Sequence, residues 1–246
     1  MLARMTTGAS AWLREDDGVT TIPAYEVVAA RMRRAIHLGE LAPGSKLPAE
    51  RILSDRLGVS RVTLREAIRV LEGEGYVEVS RGRGGGTTVH TGSMSPEEIS
   101  AWMGRRWKEL EAIFDFRLVN ERRATERAAT RADASQLAEL REIAEQGSQA
   151  ADVNEFRSLD VRFHLFIADL AESALLRQAV EEARAELYVP FRAVPLERLL
   201  KVSGLQHLAI VTALEKGDPR RAGKAMEKHL TAATTQMEEL AGVGGR

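Results

Sequence analysis

The sequence predicts a mainly α protein in two parts: three helices closed by a small β-hairpin, then a C-terminal all-α bundle of six or seven helices. Three observations carry this. Ala, Leu, Arg and Glu are abundant along the 246 residues while aromatic residues are only 5%, a balance that favours helix. Val77-Glu78-Val79 alternates as a strand does, and Thr87-Thr88-Val89 answers it across a glycine run. From about residue 97 to residue 241 apolar residues recur at helical spacing, broken near Ala132-Asp133, Ala151-Asp152, Val189-Pro190, Pro195 and Gly217-Asp218-Pro219.

The first part reads element by element. Pro23 suits the first position of a helix, Val28, Met32 and Ile36 follow at four-residue spacing, and Gly39 closes it. Leu41-Ala42-Pro43-Gly44-Ser45 forms a turn. Pro48 starts a short helix through Leu57, stopped by Gly58. Ser60 caps a third helix that Gly75 ends. Arg81-Gly82-Arg83-Gly84-Gly85-Gly86 is the turn between the strands. This order is that of a winged helix-turn-helix, with the hairpin as wing. The expected division is a flexible arm at 1–22, the winged unit at 23–90, a linker at 91–96, the helical unit at 97–241 and a flexible tail at 242–246.

Composition narrows the function classes. Hydrophobic residues are 44% and charged residues 29%, ordinary for a soluble globular chain. The absence of cysteine excludes disulfides, thiol catalysis and zinc–thiolate sites. Apolar runs are too short to cross a bilayer, so no membrane partner is expected. The first 20 residues lack the apolar core of a signal peptide, and the expected compartment is the cytoplasm. Net charge is −1, but residues 23–90 carry 11 Lys/Arg against 8 Asp/Glu, which leaves −4 for the remainder. That asymmetry suits nucleic-acid binding by the first part alone.

On the third helix Leu64, Ala67, Ile68 and Leu71 form an apolar stripe, and Arg61, Arg65 and Arg69 lie opposite. One helix fits a DNA major groove, and the arginine fork matches guanine O6 and N7. Val62 or Thr63 suits a thymine methyl, Arg51 a phosphate or base edge, and Arg81 and Arg83 the wing tip. Solvated surface arginines would give the same pattern. Residues 24–90 resemble the DNA-binding domain of GntR-type regulators. The likeness is carried by the runs Gly39 to Arg51 (GELAPGSKLPAER), Leu57 to Ala67 (LGVSRVTLREA) and Leu71 to Tyr76 (LEGEGY). The resemblance implies Arg51, Arg61 and Arg65 as principal DNA contacts, helped by Ser60 and Thr63, with Arg81 and Gly82 at the wing. It also implies a homodimer on an inverted-repeat operator.

In the second part, helical wheels place polar groups in the middle of core-facing stripes on four helices: Arg117 with Glu121, Asp160 with His164, His207, and His229. Burying such groups without partners costs about 2–7 kcal/mol each even when neutral. Asp160 and His164 are one turn apart and reach the same point. One carboxylate with three neutral imidazoles suits a divalent first-row metal, and Arg117 offers a fork for a carboxylate. The alternative is satisfied core histidines, with Arg117 in an ion pair with Glu121 or Asp160. His37 ends the first helix and His90 ends the wing.

Residues 97–241 resemble the helical ligand-binding domain, called FCD, of the FadR subgroup of GntR regulators. The likeness is carried by Phe116 to Glu121, Asp160 to His164, His207 to Ile210 and Gly217 to Leu230, and departs at Ser173-Ala174, where many members have Asn-Pro. In metal-binding members the Asp-x-x-x-His pair and two later histidines hold one divalent ion, which implies Asp160, His164, His207 and His229 here. The family's arginine at Arg117 is associated with carboxylate effectors. The expectation is a metal-dependent, small-carboxylate-responsive regulator, a repressor, dimeric on a palindromic operator, and not an enzyme. Its cofactor is one divalent ion per chain, zinc first, then nickel or manganese. The competing expectations are a regulator with a purely structural metal and no effector, and a metalloenzyme.

Overall fold

Ser60 accepts a hydrogen bond from the Thr63 amide (3.1 Å) and so starts α3 (Arg61–Gly73), whose face Leu64, Ala67, Ile68 and Leu71 is fully enclosed. The structure is a computed structural model and describes residues 22–82, 85–90 and 94–244. The arm at 1–21, Arg83 and Gly84 at the wing tip, 91–93 of the linker and 245–246 of the tail lie outside the described residues. α1 (Ala24–His37) packs Val28, Met32 and Ile36 onto α3, and α2 (Glu50–Leu57) precedes it. β1 (Val77–Ser80) and β2 (Gly86–Val89) pair antiparallel from Val77 opposite Val89 to Ser80 opposite Gly86. Both N-terminal prolines differ from expectation. Pro23 (ψ 140°) stands just before α1, and extended Ala49 (ψ 141°) separates Pro48 from α2. The extended ψ at the cap position puts the start of α1 one residue, and that of α2 two residues, later than expected.

The C-terminal unit contains α4 (Pro96–Arg105), α5 (Trp107–Ala128), α6 (Ala134–Ser148), α7 (Val153–Leu170) and α8 (Ala174–Glu186). It continues with the four-residue α9 (Tyr188–Phe191) and α10 (Leu196–Leu199), a π-helical turn at Leu200–Gly204, α11 (Leu205–Glu215) and α12 (Pro219–Ala241). Seven of these helices have ten or more residues. Side chains define their starts: Ser95 with Glu98 and Asp133 with Gln136 form capping boxes, while Asp152, Ser173 and Asp218 cap α7, α8 and α12. Two interruptions were not anticipated. Glu172 takes a positive φ of 49° between α7 and α8, and the π-helical turn leads straight into α11. One apolar cluster, with Phe163, Ile167, Leu214 and Met226, and a second, with Phe114, Phe156, Leu187 and Met237, lie on either side of a buried polar centre.

The two units meet where the end of α1 rests on α7 and α8. Arg34 pairs with Glu181 (2.9 Å), and Leu38 packs on Val161 and Ala185. The His37 Nδ1 donates to the Ala185 carbonyl (2.8 Å), so its Nε2 accepts from the Tyr76 hydroxyl (3.0 Å). Its ring stacks on Tyr188 at 4.4 Å. Burial pushes the His37 pKa down to about 4. An unfolded histidine titrates near pH 6.5, so this neutral ring favours the folded chain above that pH, and the contribution is lost as pH falls toward 4. Replacing His37 with Gln should therefore lower the thermal unfolding midpoint at pH 7.5, and the gap to the native chain should shrink by pH 5. A gap independent of pH would contradict this.

Candidate metal centre and nucleic-acid interface

Asp160 and His164 are one turn apart on α7, and His207 and His229 come from α11 and α12. Their ligand atoms all lie within 4.8 Å of one another. His229 Nε2 is 3.3 Å from His164 Nε2 and 3.4 Å from His207 Nε2. Asp160 Oδ1 lies 3.4 Å from His207 Nε2 and 3.7 Å from His164 Nε2. Ligands at zinc-like bond lengths of about 2.0–2.1 Å are separated by roughly 3.3–3.4 Å in a tetrahedron, so the spacing fits one ion.

The outer ring atoms fix what the inner ones can offer. His164 Nδ1 contacts Glu121 Oε2, and His229 Nδ1 donates to Gln206 Oε1 (2.9 Å). With their protons on Nδ1, both rings present Nε2 lone pairs to each other, which is repulsive unless a cation lies between them. Burial lowers the pKa of all three histidines, that of His207 to about 3. They are neutral at pH 7, as ligands must be. Burial alone would raise Asp160, but Arg184 and then the histidines outweigh it and hold the carboxyl well below its ordinary range. The donor set is one carboxylate and three neutral imidazoles, and it fits a divalent first-row ion.

Arg117 is joined to this cluster through Glu121. It is 2% exposed, and its Nε donates to Glu121 Oε1 (2.5 Å). Glu121 thus links Arg117 to His164, and burial of its carboxylate is outweighed by Arg117 and His164. Two residues were missed in the sequence. Arg184 of α8 is buried and paired with Asp160 Oδ2, and its place four residues after buried Val180 was the available signal. Gln206 carried no signal, because only the fold brings it to His229.

On the other unit, Arg51, Ser60, Arg61, Arg65, Arg81 and Gly82 are exposed and Thr63 is half-buried. Arg65 pairs with Glu50 (2.8 Å) and Arg51 with Asp55 (3.7 Å). Such exposed pairs contribute about 0–1 kcal/mol, so phosphates or bases can displace them readily. Ser60 and Thr63 share a hydroxyl hydrogen bond (2.9 Å) at the start of α3. His90 ends the wing beside Glu78 (3.1 Å).

Residues 24–89 match the family described as bacterial regulatory proteins, gntR family, and residues 112–232 match the FCD domain. The Exu regulon transcriptional regulator of Escherichia coli (strain K12) is 32% identical over 218 residues, 84% of this chain and 81% of that protein. The chain belongs to the GntR family. A second relative, the HTH-type transcriptional repressor NanR of Cronobacter sakazakii (strain ATCC BAA-894), is 29% identical over 223 residues, 87% of this chain and 85% of that one. The solved structure of E. coli McbR/YncC shares the fold, with a TM-score of 0.55 at 19% identity, over 89% of this chain and 99% of that one. This GntR-family chain is a DNA-binding transcription regulator with an FCD domain, and its named relatives are regulators rather than enzymes. Among the described residues no helix is long and apolar enough to cross a membrane.

Partners of metal ligands typically change metal affinity about 10–100-fold when lost. Glu121→Gln should weaken zinc binding by that factor, read by competition with a chromophoric chelator. Unchanged affinity would show that Glu121 does not support His164.

Proposed function

We propose that the chain is a metal-dependent transcription repressor of the FadR subgroup, working in the cytoplasm and released from DNA by a small organic acid. The observation that carries this reading is the convergence of three imidazole Nε2 atoms and the Asp160 carboxylate inside the helical unit. Residues 23–90 form the DNA-reading unit, and residues 97–241 the sensing unit. Asp160, His164, His207 and His229 would hold one divalent ion, with zinc preferred and nickel or manganese as substitutes. That ion offers an acceptor for the acid's carboxylate, and Arg117 adds the positive charge that draws the acid in. A relative named as a repressor supports the sign. A homodimer would place two α3 helices on the half-sites of an inverted repeat, with Arg51, Arg61, Arg65, Ser60 and Thr63 at the groove and Arg81 and Gly82 at the wing.

Elemental analysis of the purified chain tests the centre: about one ion per chain is expected, lost in His207→Ala and His229→Ala. An absence of metal after incubation with zinc, nickel or manganese would end this reading. The groove contacts are tested with duplexes selected from a random pool. Arg61→Ala or Arg65→Ala should cost about 1–3 kcal/mol and relax base preference, whereas a phosphate contact alone would weaken all sequences equally. Metal without any acid that alters DNA affinity would instead indicate a structural ion.

A further inference from the structure

Arg51, Arg61, Arg65 and Arg69 are exposed on α2 and α3, and their carboxylate partners differ. Among the described residues Arg61 forms no ion pair. Arg51 meets Asp55 of its own helix (3.7 Å), and Arg69 meets Glu66 of its own helix (2.5 Å). Of the four, Arg65 alone is held from another helix. Its Nε donates to Oε2 of Glu50, the first residue of α2 (2.8 Å). Among the described residues its Nη1 and Nη2 make no hydrogen bond.

An acid beside a DNA-reading arginine needs a reason, because a carboxylate there repels phosphates and costs affinity. Stability does not supply one. An exposed ion pair adds little, and α2 is already held by Leu53 and Leu57, which pack on the cluster containing Leu64 and Leu71. A carboxylate also favours the first turn of α2, but that effect does not depend on reaching Arg65. Orientation does supply a reason. A guanidinium with all its N–H groups free grips a phosphate as well as a base edge, and phosphates carry no sequence. With Nε taken, the remaining fork is the end-on pair Nη1 and Nη2, which matches guanine O6 and N7. A phosphate that uses the side-on fork must displace Glu50 and meets its like charge. A neutral guanine edge bound end-on does neither.

We infer that Glu50 is a positioning residue for base reading: it fixes Arg65 end-on toward guanine and turns it away from phosphate. This rests on the reading that Arg65 lies in the major groove. Water leaves the contact when DNA docks, and the lower dielectric strengthens the hydrogen bond between Nε and the carboxylate. The acid therefore raises the ratio of specific to random binding while lowering random binding itself.

The test uses the full chain, a duplex selected from a random pool, its single-base variants and a random duplex, all read by fluorescence anisotropy. Glu50→Ala should lower discrimination at the base pair that Arg65 reads by about 3–5-fold, the scale an exposed ion pair supports. Its affinity for the random duplex should rise, and the salt dependence there should steepen by about 0.9 as Arg65 takes a phosphate. Loss of fold would lower both affinities instead. Glu50→Gln, which keeps the acceptor for Nε and removes the charge, should retain most of the discrimination. In an Arg65→Ala background Glu50→Ala should change base preference no further. Unchanged discrimination in Glu50→Ala, an equal change in the Arg65→Ala background, or joint loss of selected and random binding would overturn the inference. Arg65→Ala alone separates it from the groove reading. If that variant leaves every base preference unchanged, Arg65 reads no base and both fall. If it relaxes one base pair and Glu50→Ala does not, the groove reading stands and the positioning role falls.

Discussion

One carboxylate and three imidazoles share a water-poor space between two apolar clusters, and their desolvation governs how the surrounding helices must lie. An imidazole there stays neutral, as the lowered pKa values of His164, His207 and His229 show. A neutral ring still needs a partner for each nitrogen, or it costs several kcal/mol. Glu121 of α5 and Gln206 of α11 take the outer nitrogens of His164 and His229, and Arg184 of α8 takes the outer oxygen of Asp160. Satisfying these groups therefore requires α5, α7, α8, α11 and α12 to converge on one point. Gly204, in the π-helical turn before α11, lets that segment approach α6, since a Cβ there would stand 3.2 Å from Ser148 Cα.

The same two helices that build the polar centre also carry the seam. On α8, Arg184 faces Asp160, while Glu181 and Ala185 hold Arg34 and His37, and Tyr188 just beyond stacks on His37. On α7, Asp160 and His164 belong to the centre, while Ser158 lies against Gly39 and Val161 against Leu38. Gly39 has a φ of +75°, and a Cβ on it would meet Ser158 Oγ at 3.3 Å, so the approach of α1 to α7 leaves little slack. A packed interface of this kind responds to a shift by changing its arrangement rather than by deforming smoothly.

The wheels found the buried histidines for a physical reason. Each stands in a stripe whose other members are Phe, Ile, Val, Leu, Ala or Met, and the period of a helix reports which face is buried. The same period says nothing about which helix lies opposite. That is why Gln206 was invisible, why Arg184 went unnoticed, and why His37 read as a helix end when it is the ring at the seam. For Arg117 the sequence left two readings open, a grip on a carboxylate ligand or an ion pair with Glu121 or Asp160. The structure contains the Glu121 pair. The winged unit was more legible, because its turns depend on local residues: Ser60 caps α3, and the glycine at 75 takes φ 77° where that helix ends.

The seam is modest in strength, and that modesty matters for regulation. Among the described residues it contains one half-exposed ion pair, one hydrogen bond from His37 to the Ala185 carbonyl, the stack of His37 on Tyr188 and a few apolar contacts. Half-exposed ion pairs contribute about 0–1 kcal/mol and neutral hydrogen bonds about 0.5–1.5 kcal/mol each, so the polar contacts of the seam are worth only about 1–2 kcal/mol. A coupling of about 1–3 kcal/mol, typical between regulatory sites, is then comparable with that polar part. The polar centre is the opposite case, with charges deeply buried and every outer nitrogen or oxygen of His164, His229 and Asp160 engaged. A rigid centre beside a weak seam is the arrangement in which a small ligand can reposition the DNA-reading unit without disturbing the fold that recognises it.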